Sequence, residues 1–297
     1  MSLTSAGPGG PTTGIGRRIQ VRSARLYLVS DDSTSDGELL GLLAAAISGG
    51  ADIFQLRRKG IEPTDLDALA FRCAEICHQA GVLFIVDDHL ELALRSGADG
   101  VHLGHEDTPL VEARRLLGSE LLIGASTHDR EQVLSAVRDG ADYISAGPVN
   151  ATPTKAGRPA VGLGHVSDAA RYTTVPVVAI GGLDATGAAA AVERGADMVG
   201  VVRAVCASAD PADASATIRR VVEGAAAWSW MWINGTMRKC PPHEPLDELA
   251  RSLNLDGNGV VIEVNGTIPP RDEWAGIRLE PGDRLEVVHF VGGGSLD

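Results

Sequence analysis

The sequence predicts a (β/α)8 barrel followed by a small β-grasp domain, and three observations carry that expectation. From Arg25 to about Ala227, short apolar runs alternate with Ala-rich segments of helical spacing. The phrase Gly-Ala-Asp recurs four times, at Gly50-Ala51-Asp52, Gly97-Ala98-Asp99, Gly140-Ala141-Asp142 and Gly195-Ala196-Asp197, each where a helix should stop and a strand begin. Gly supplies the left-handed stop and Asp finishes the turn, so the phrase reads as punctuation rather than chemistry. Polar clusters directly follow most of the apolar runs, and a parallel barrel gathers such residues on one face.

The strands expected in order are Leu26–Ser30, Ile53–Leu56, Leu83–Val86, Gly100–Leu103, Leu121–Gly124, Tyr143–Ala146, Val177–Ile180 and Met198–Val202. They are short, mainly apolar runs rather than alternating ones, as expected of strands covered by helices. The helical patterns between them include Asp36–Ser48, Asp65–Ala80, Leu90–Ser96, Asp107–Leu117, Arg130–Asp139, Ala185–Arg194 and Pro211–Ala226. A doubly wound open sheet is the alternative, but no Gly-x-Gly-x-x-Gly follows the first strand. After Ala227 the pattern changes. Trp228–Ile233 runs into an Asn234-Gly235 turn, and Leu246, Leu249 and Leu253 mark one amphipathic helix over Pro245–Leu253. Val260–Val264 and Arg284–Val291 read as further strands, which fits a β-grasp module. The expected divisions are a flexible leader at 1–23, a barrel at 24–227 and a β-grasp domain at 230–297 with a glycine-rich tail.

Composition narrows the function. A net charge of −13 argues against nonspecific binding to nucleic acid or anionic membranes. No apolar run approaches a membrane span, and the Gly-, Pro- and Arg-containing first residues lack a signal-peptide core. An organelle transit peptide is the minor reading of that leader. The four cysteines, Cys73, Cys77, Cys206 and Cys240, form no Cys-x-x-Cys pair and read as thiols in a reducing cytosol. A cytoplasmic location is therefore expected, and any anionic ligand must be held by local cations and metal.

The polar clusters supply those groups. Gln55, Arg57 and Lys59 alternate after the second strand and so face one way. Arg57 suits bidentate phosphate binding and Lys59 a point charge, whereas Arg58 is expected to face outward. Asp88 with Asp107 fits the sparse carboxylate set that holds Mg²⁺ against substrate phosphates, although Asp107 before Thr108-Pro109 also reads as a helix N-cap. His102, His105 and His128 lack tight zinc spacing. Thr152, Thr154 and Lys155 suit a small phosphate or carboxylate ligand. Gly181-Gly182 and Val202-Arg203 stand where barrels build phosphate sites from backbone amides.

From about Leu26 to Ala207 these residues resemble thiamine-phosphate synthase. The matching runs are Gln55 to Lys59, Phe84 to Asp88, His102 to Asp107, Gly124 to His128, Gly147-Pro148 through Lys155, and Ile180 to Gly182. The resemblance implies a transferase that joins hydroxymethylpyrimidine diphosphate to thiazole phosphate and releases pyrophosphate. It implies pyrimidine-diphosphate contacts from Gln55, Arg57, Lys59, Asp87, Ser126 and Lys155, with Arg57, Lys59 and Lys155 stabilising the leaving group. It implies Mg²⁺ at Asp88 and Asp107. Thr152, Thr154, Gly181, Gly182, Val202 and Arg203 match the thiazole-phosphate side. The family usually carries Asn at the position of Asp87, Gln at that of His105 and a small hydroxyl residue at that of Arg203.

From about Trp230 the chain resembles the sulfur carrier protein of thiamine biosynthesis, through Ile262 to Gly266, Pro270 to Trp274, and Pro281 to Asp283 on to Gly292-Gly293-Gly294. That resemblance implies an adenylating enzyme and a thiazole synthase as partners, and a thiocarboxylate formed on a terminal glycine at Gly293 or Gly294. Here Ser295-Leu296-Asp297 follow the glycines. The rival readings are a thiazole tautomerase, which would not need a pyrophosphate-metal set, and an inactive barrel serving as scaffold for the carrier module.

Overall fold

Backbone contacts divide the chain into one unit at Met1–Ala225 and a second at Ala226–Asp297. In the computed structural model the residues described are 13–152, 159–255, 257 and 259–289. The first unit is a closed barrel of eight parallel strands in sequential order. The strands are β1 (Leu26–Val29), β2 (Ile53–Leu56), β3 (Leu83–Asp87), β4 (Gly100–Leu103), β5 (Leu122–Thr127), β6 (Tyr143–Ala146), β7 (Val177–Ile180) and β8 (Met198–Val201). Around them lie α2 (Asp36–Ser48), α3 (Asp67–Gln79), α4 (Leu90–Ser96), α5 (Leu110–Leu117), α6 (Arg130–Arg138), α7 (Gly162–Tyr172), α8 (Ala185–Glu193), α9 (Arg203–Cys206) and α10 (Pro211–Gly224). Their apolar faces pack on the outward side chains of the strands, such as Leu28, Phe54, Phe84, Val101 and Val199, to form the larger core.

The inward side chains form a separate core of Tyr27, Val29, Ile53, Leu83, Ile85, Leu122, Tyr143, Val178 and Met198. Its floor is closed by a helix at the N-terminal end of the strands. This is α1 (Gly14–Ser23), whose Val21, with Ala24 just beyond, packs into the same cluster. The expectation of a flexible leader is therefore corrected for residues 14–23; residues 1–12 lie outside the described set. Thr13 caps the helix by accepting the Gly16 N–H. Arg17 and Arg18, which look like leader charges, pair at 2.7 Å with Asp99 and Asp142.

Those two aspartates belong to the recurrent Gly-Ala-Asp phrase, and its purpose is visible. Each aspartate precedes an even-numbered strand, and its side chain accepts a backbone N–H at the start of the odd-numbered strand before it. Asp52 takes Arg25 and Leu26 at 2.7 and 3.0 Å, and Asp99 takes Phe84 at 2.9 Å. Asp142 takes Ile123 and Asp197 takes Val177, both at 2.8 Å. The phrase latches the strands in pairs at the end of the barrel opposite the polar loops. It does this by satisfying amides that the parallel ladder leaves over.

The second unit is a four-stranded sheet in the order β10-β9-β12-β11, made of β9 (Ser229–Ile233), β10 (Thr236–Cys240), β11 (Val260–Val264) and β12 (Arg284–His289). The β9–β10 hairpin turns at Asn234 and Gly235, with φ of 48° and 70°, the left-handed pair that a tight two-residue hairpin needs. One face of the sheet and α11 (Leu246–Ser252) enclose Met231, Ile233, Leu246, Leu249, Ile262, Trp274 and Leu285. β12 runs parallel to β9 and antiparallel to β11, a mixed sheet consistent with a β-grasp.

Candidate active site

Two adjoining cavities open at the C-terminal end of the barrel. One, of about 350 Å³, is lined by Gln55, Arg57, Lys59, Asp87, Asp88, His102, His105, Asp107 and Ser126 over a floor of Tyr27 and Tyr143. The other, of about 360 Å³, is lined by His128, Thr152, Gly181, Gly182, Asp184 and Arg203. Ser145, Ile180 and Val202 belong to both and form the wall between them. The residues expected on the two sides thus fall into two neighbouring chambers. Thr154, Lys155, Gly293 and Gly294 lie outside the described residues.

The first chamber is an array of opposed charges. Gln55, Arg57 and Lys59 continue the inward parity of Ile53 on β2. Arg57 pairs with Asp32 and lies 3.6 Å from Asp87; Lys59 pairs with Asp88 and lies 3.5 Å from Asp87. Burial would lower the Lys59 pKa, but the hydrogen bond to Asp88 and the charges of Asp87 and Asp88 outweigh it and hold the ammonium protonated. Asp32, which sequence reading missed, also accepts the Lys59 N–H at 3.0 Å and so ties the β1–α2 loop to the cation cluster. Arg58 corrects an expectation. It does point away from the cavity, but it is buried, donating to the carbonyls of Asp31 and Thr34 under that same loop.

Asp88 sits at the end of β3 with φ of 62°, a strained region for a residue with a side chain. Its N–H bonds the His102 carbonyl at 2.9 Å, which fixes the turn and aims the carboxylate inward. Asp107 is not the N-cap of α5, because the helix begins at Leu110 with Pro109 in that place. It instead accepts the Gly104 N–H at 2.6 Å, folding its loop back toward Asp88. The two carboxyls meet. Burial, followed by the contact with Asp107, raises the Asp88 pKa despite Lys59; burial would raise Asp107 too, but hydrogen bonds from Asp88 and Gly104 outweigh it and hold that carboxyl low. Two facing carboxylates, one of them with its pKa raised by burial and by the other, suit a divalent cation that offsets both charges. Charge agrees: the two cations Arg57 and Lys59 stand against the four carboxylates of Asp32, Asp87, Asp88 and Asp107, two negative charges in excess. Among the described residues no group of three metal-ligating side chains occurs, so substrate oxygens would complete such a coordination shell.

Beneath the charges runs a buried polar chain that sequence reading missed. Tyr27 Oη donates to Gln55 Oε1 at 2.9 Å and meets Tyr143 Oη at 2.9 Å. Tyr143 Oη lies 3.3 Å from His102 Nδ1, and His102 Nε2 lies 3.1 Å from Ser126 Oγ. Gly124 makes room for it, since a Cβ there would collide with the Tyr143 ring and His102. The one available signal was the placing of two of the three tyrosines in runs otherwise apolar.

In the second chamber two glycines stand beside the side chains of His128, Thr152, Asp184 and Arg203. Gly181 and Gly182 have φ of 106° and 63°, and a Cβ on Gly181 would stand 2.5 Å from Pro148 Cα. Asn150 holds the turn by donating from Nδ2 to the Gly182 carbonyl at 2.9 Å. Glycine is thus required on two counts, and the exposed amides suit an anion. Arg203, exposed at the mouth, also helps to hold the Asp31 carboxyl below its usual range, after the Ser33 hydrogen bonds that dominate there.

Residues 26–205 match the model of the thiamine monophosphate synthase family, more than half of the chain. The chain belongs to the thiamine monophosphate synthase family. Residues 231–294 match the ThiS family, so a sulfur carrier domain follows the synthase domain. A thiamine-phosphate synthase of Nostoc sp. is 44% identical over 64% of this chain and 54% of its own length. One from Synechococcus sp. is 47% identical over 67% of this chain and 57% of its own. The chain thus spans little more than half the length of these curated relatives. A thiamine phosphate pyrophosphorylase from Pyrococcus furiosus superposes with a TM-score of 0.62 at 30% identity, covering 69% of this chain and 98% of that one. Within this synthase family the charged chamber and the glycine chamber occupy the barrel face expected for catalysis. No helix among the described residues is long and apolar enough to cross a membrane.

Proposed function

We propose that the barrel condenses hydroxymethylpyrimidine diphosphate with thiazole phosphate and releases pyrophosphate, and that the C-terminal domain carries sulfur for thiazole formation. The observation that carries the first part is the pair of adjoining chambers, one of cations and carboxylates and one of glycine amides, sharing a wall. Two phosphorylated heterocycles need two anion sites within bonding reach.

In this reading the diphosphate displaces Asp32 and Asp87 as the partner of Arg57 and Lys59. Asp88 and Asp107 hold Mg²⁺, which when bound offsets charge on the pyrophosphate. As the C–O bond breaks, its electron pair passes to the leaving oxygen, where Arg57, Lys59 and Lys155 stabilise the growing charge. The methylene carbon is left as a benzyl-like cation delocalised into the aminopyrimidine. Thr152, Thr154, Gly181, Gly182, Val202 and Arg203 hold the thiazole phosphate, whose ring nitrogen then gives its lone pair to form the C–N bond. Gln55 and Ser126 orient the pyrimidine, and no side chain needs to move a proton.

The test is pyrophosphate release from hydroxymethylpyrimidine diphosphate with and without thiazole phosphate. Thiazole-dependent release with Mg²⁺ is expected; its absence from folded protein overturns the synthase reading. For the carrier domain, the glycine carboxylate must be free before an adenylating enzyme can act on it, and Gly294 is followed by Ser295-Leu296-Asp297. We infer that the chain works as a sulfur carrier only after trimming to Gly293 or Gly294. Intact mass after incubation with adenylating enzyme, ATP and sulfur donor should show a thiocarboxylate on the trimmed chain alone. Modification of the untrimmed chain refutes this.

A further inference from the structure

The buried chain beneath the charged chamber has a direction, and that direction can be deduced atom by atom. Asp87, facing Arg57 at 3.6 Å and Lys59 at 3.5 Å, serves as an acceptor. Gln55 therefore turns its amide nitrogen to Asp87, as observed, and its Oε1 to Tyr27. The single hydroxyl proton of Tyr27 is spent on that oxygen. At 2.9 Å from Tyr143 Oη, Tyr27 must then accept, so Tyr143 donates. Tyr143 has no second proton, and its contact with His102 Nδ1 is attractive only if Nδ1 carries hydrogen. The reverse order would set two acceptors against each other at the Tyr27–Gln55 contact, which is costly for buried groups. Burial pushes the Tyr27 and Tyr143 hydroxyls above their usual range, so both stay protonated as this order requires.

We propose that Tyr27 and Tyr143 are positioning residues that hold His102 with its proton on Nδ1, so that Nε2 accepts from the nearer of its two hydroxyl neighbours, Ser126 at 3.1 Å rather than Ser145 at 3.4 Å, and Ser126 presents its oxygen lone pairs to the chamber as an acceptor. This deepens the synthase reading and rests on it for the identity of the ligand. A heterocycle with an exocyclic amino group presents an N–H donor that matches an acceptor at Ser126. Gln55 Nε2, with one hydrogen committed to Asp87, has a second for an adjacent ring nitrogen. The chamber floor is thereby set to a donor–acceptor pair that fits the amino edge of a pyrimidine and disfavours the oxo edge. Asp87 fixes the pattern from the far end of the relay, through Gln55, Tyr27, Tyr143 and His102 to Ser126.

The test reads the tautomer directly. In uniformly 15N-labelled full-length protein without substrate, the His102 imidazole is assigned by its absence from His102→Gln. The expected spectrum at neutral pH is the Nδ1–H form. In Tyr27→Phe the Tyr143 proton has lost its acceptor and turns to Nδ1, so His102 should invert to the Nε2–H form and Ser126 should become a donor. The KM for hydroxymethylpyrimidine diphosphate should then rise about 3- to 10-fold, the effect of one misdirected hydrogen bond, with kcat little changed. Tyr143→Phe, which removes only the relay oxygen, is the second variant and should abolish the fixed tautomer and raise KM similarly. A parent protein with His102 in the Nε2–H form or doubly protonated overturns the proposal. So does a Tyr27→Phe spectrum identical to the parent. Because the tautomer is read without turnover, its failure is separate from failure of the synthase reading.

Discussion

Replacing Asp99 by alanine should destabilise the barrel strongly while leaving its chemistry intact. The carboxylate is 3% exposed and takes three donors: Arg17 Nε at 2.7 Å, Phe84 N at 2.9 Å and His78 Nε2 at 3.1 Å. Alanine removes a charge-assisted bond to a buried amide and leaves both that N–H and Arg17 without their acceptor. Breaking a buried pair in this way costs about 3–4 kcal/mol. His78 is half-exposed and adds little to that sum. For a unit of this size the loss corresponds to a fall in the barrel Tm of roughly 6–16 °C. Asp99→Asn keeps an oxygen for Phe84 and should lose only about 1–2 kcal/mol. The pH dependence has a definite sign. Burial would raise the Asp99 pKa, but the bonds from His78, Phe84 and Arg17 outweigh it and lower it, so its contribution is present above about pH 4 and lost in acid. The bond to Asp99 raises His78, so that contribution is full below about pH 6.5 and fades as pH rises through the folded value. The gap between parent and Asp99→Asn should therefore be widest between about pH 4 and 6.5. Thermal unfolding across that range, with pyrophosphate release at 25 °C as control, checks both claims. An alanine variant melting within about 2 °C of the parent would refute the latch.

Asp88→Asn and Asp107→Asn should each lower turnover by a factor on the order of 10² or more, about 2.7 kcal/mol of transition-state stabilisation, in the coupled pyrophosphate assay. Near-normal rates at saturating Mg²⁺ would reject the metal role. Asp87→Asn should release Arg57 and Lys59 from an internal competitor and tighten hydroxymethylpyrimidine diphosphate binding by roughly 3- to 10-fold by calorimetry; weaker binding would mean that the carboxylate itself is needed. Gly124→Ala places a methyl group against Tyr143 and His102, and should lower stability by about 1–3 kcal/mol and raise the KM for the pyrimidine substrate together.

The strands were readable because each is buried on both faces and so appears as a mainly apolar run, broken only by chamber residues such as Gln55 and His102. The cations and carboxylates were readable because they follow those runs on one side of the barrel. What stayed hidden depends on partners distant in sequence. Arg17 and Arg18 look like tail charges until Asp99 and Asp142, 82 and 124 residues away, are brought beneath them. Tyr27 and Tyr143 look like core until their hydroxyls meet across 116 residues. Helix α7 was obscured by the Pro- and Gly-containing stretch before it, though His165, Val166, Ala169 and Ala170 share its buried face. Arg58 followed the parity rule in direction, but parity along a strand says nothing of the loop that folds over it.

The wall of Ser145, Ile180 and Val202 has a kinetic consequence under the proposed reaction. Each substrate occupies a single chamber and can leave it alone. The condensed product is one covalent body with a foot in both, so it gains the effective-concentration advantage of a bivalent ligand once the pyrophosphate has left Arg57, Lys59 and Lys155. Dissociation then requires both feet to lift together, and escape rather than bond formation becomes the slow stage of each cycle. The barrel would meter its output by residence time, holding back fresh substrate whenever product accumulates.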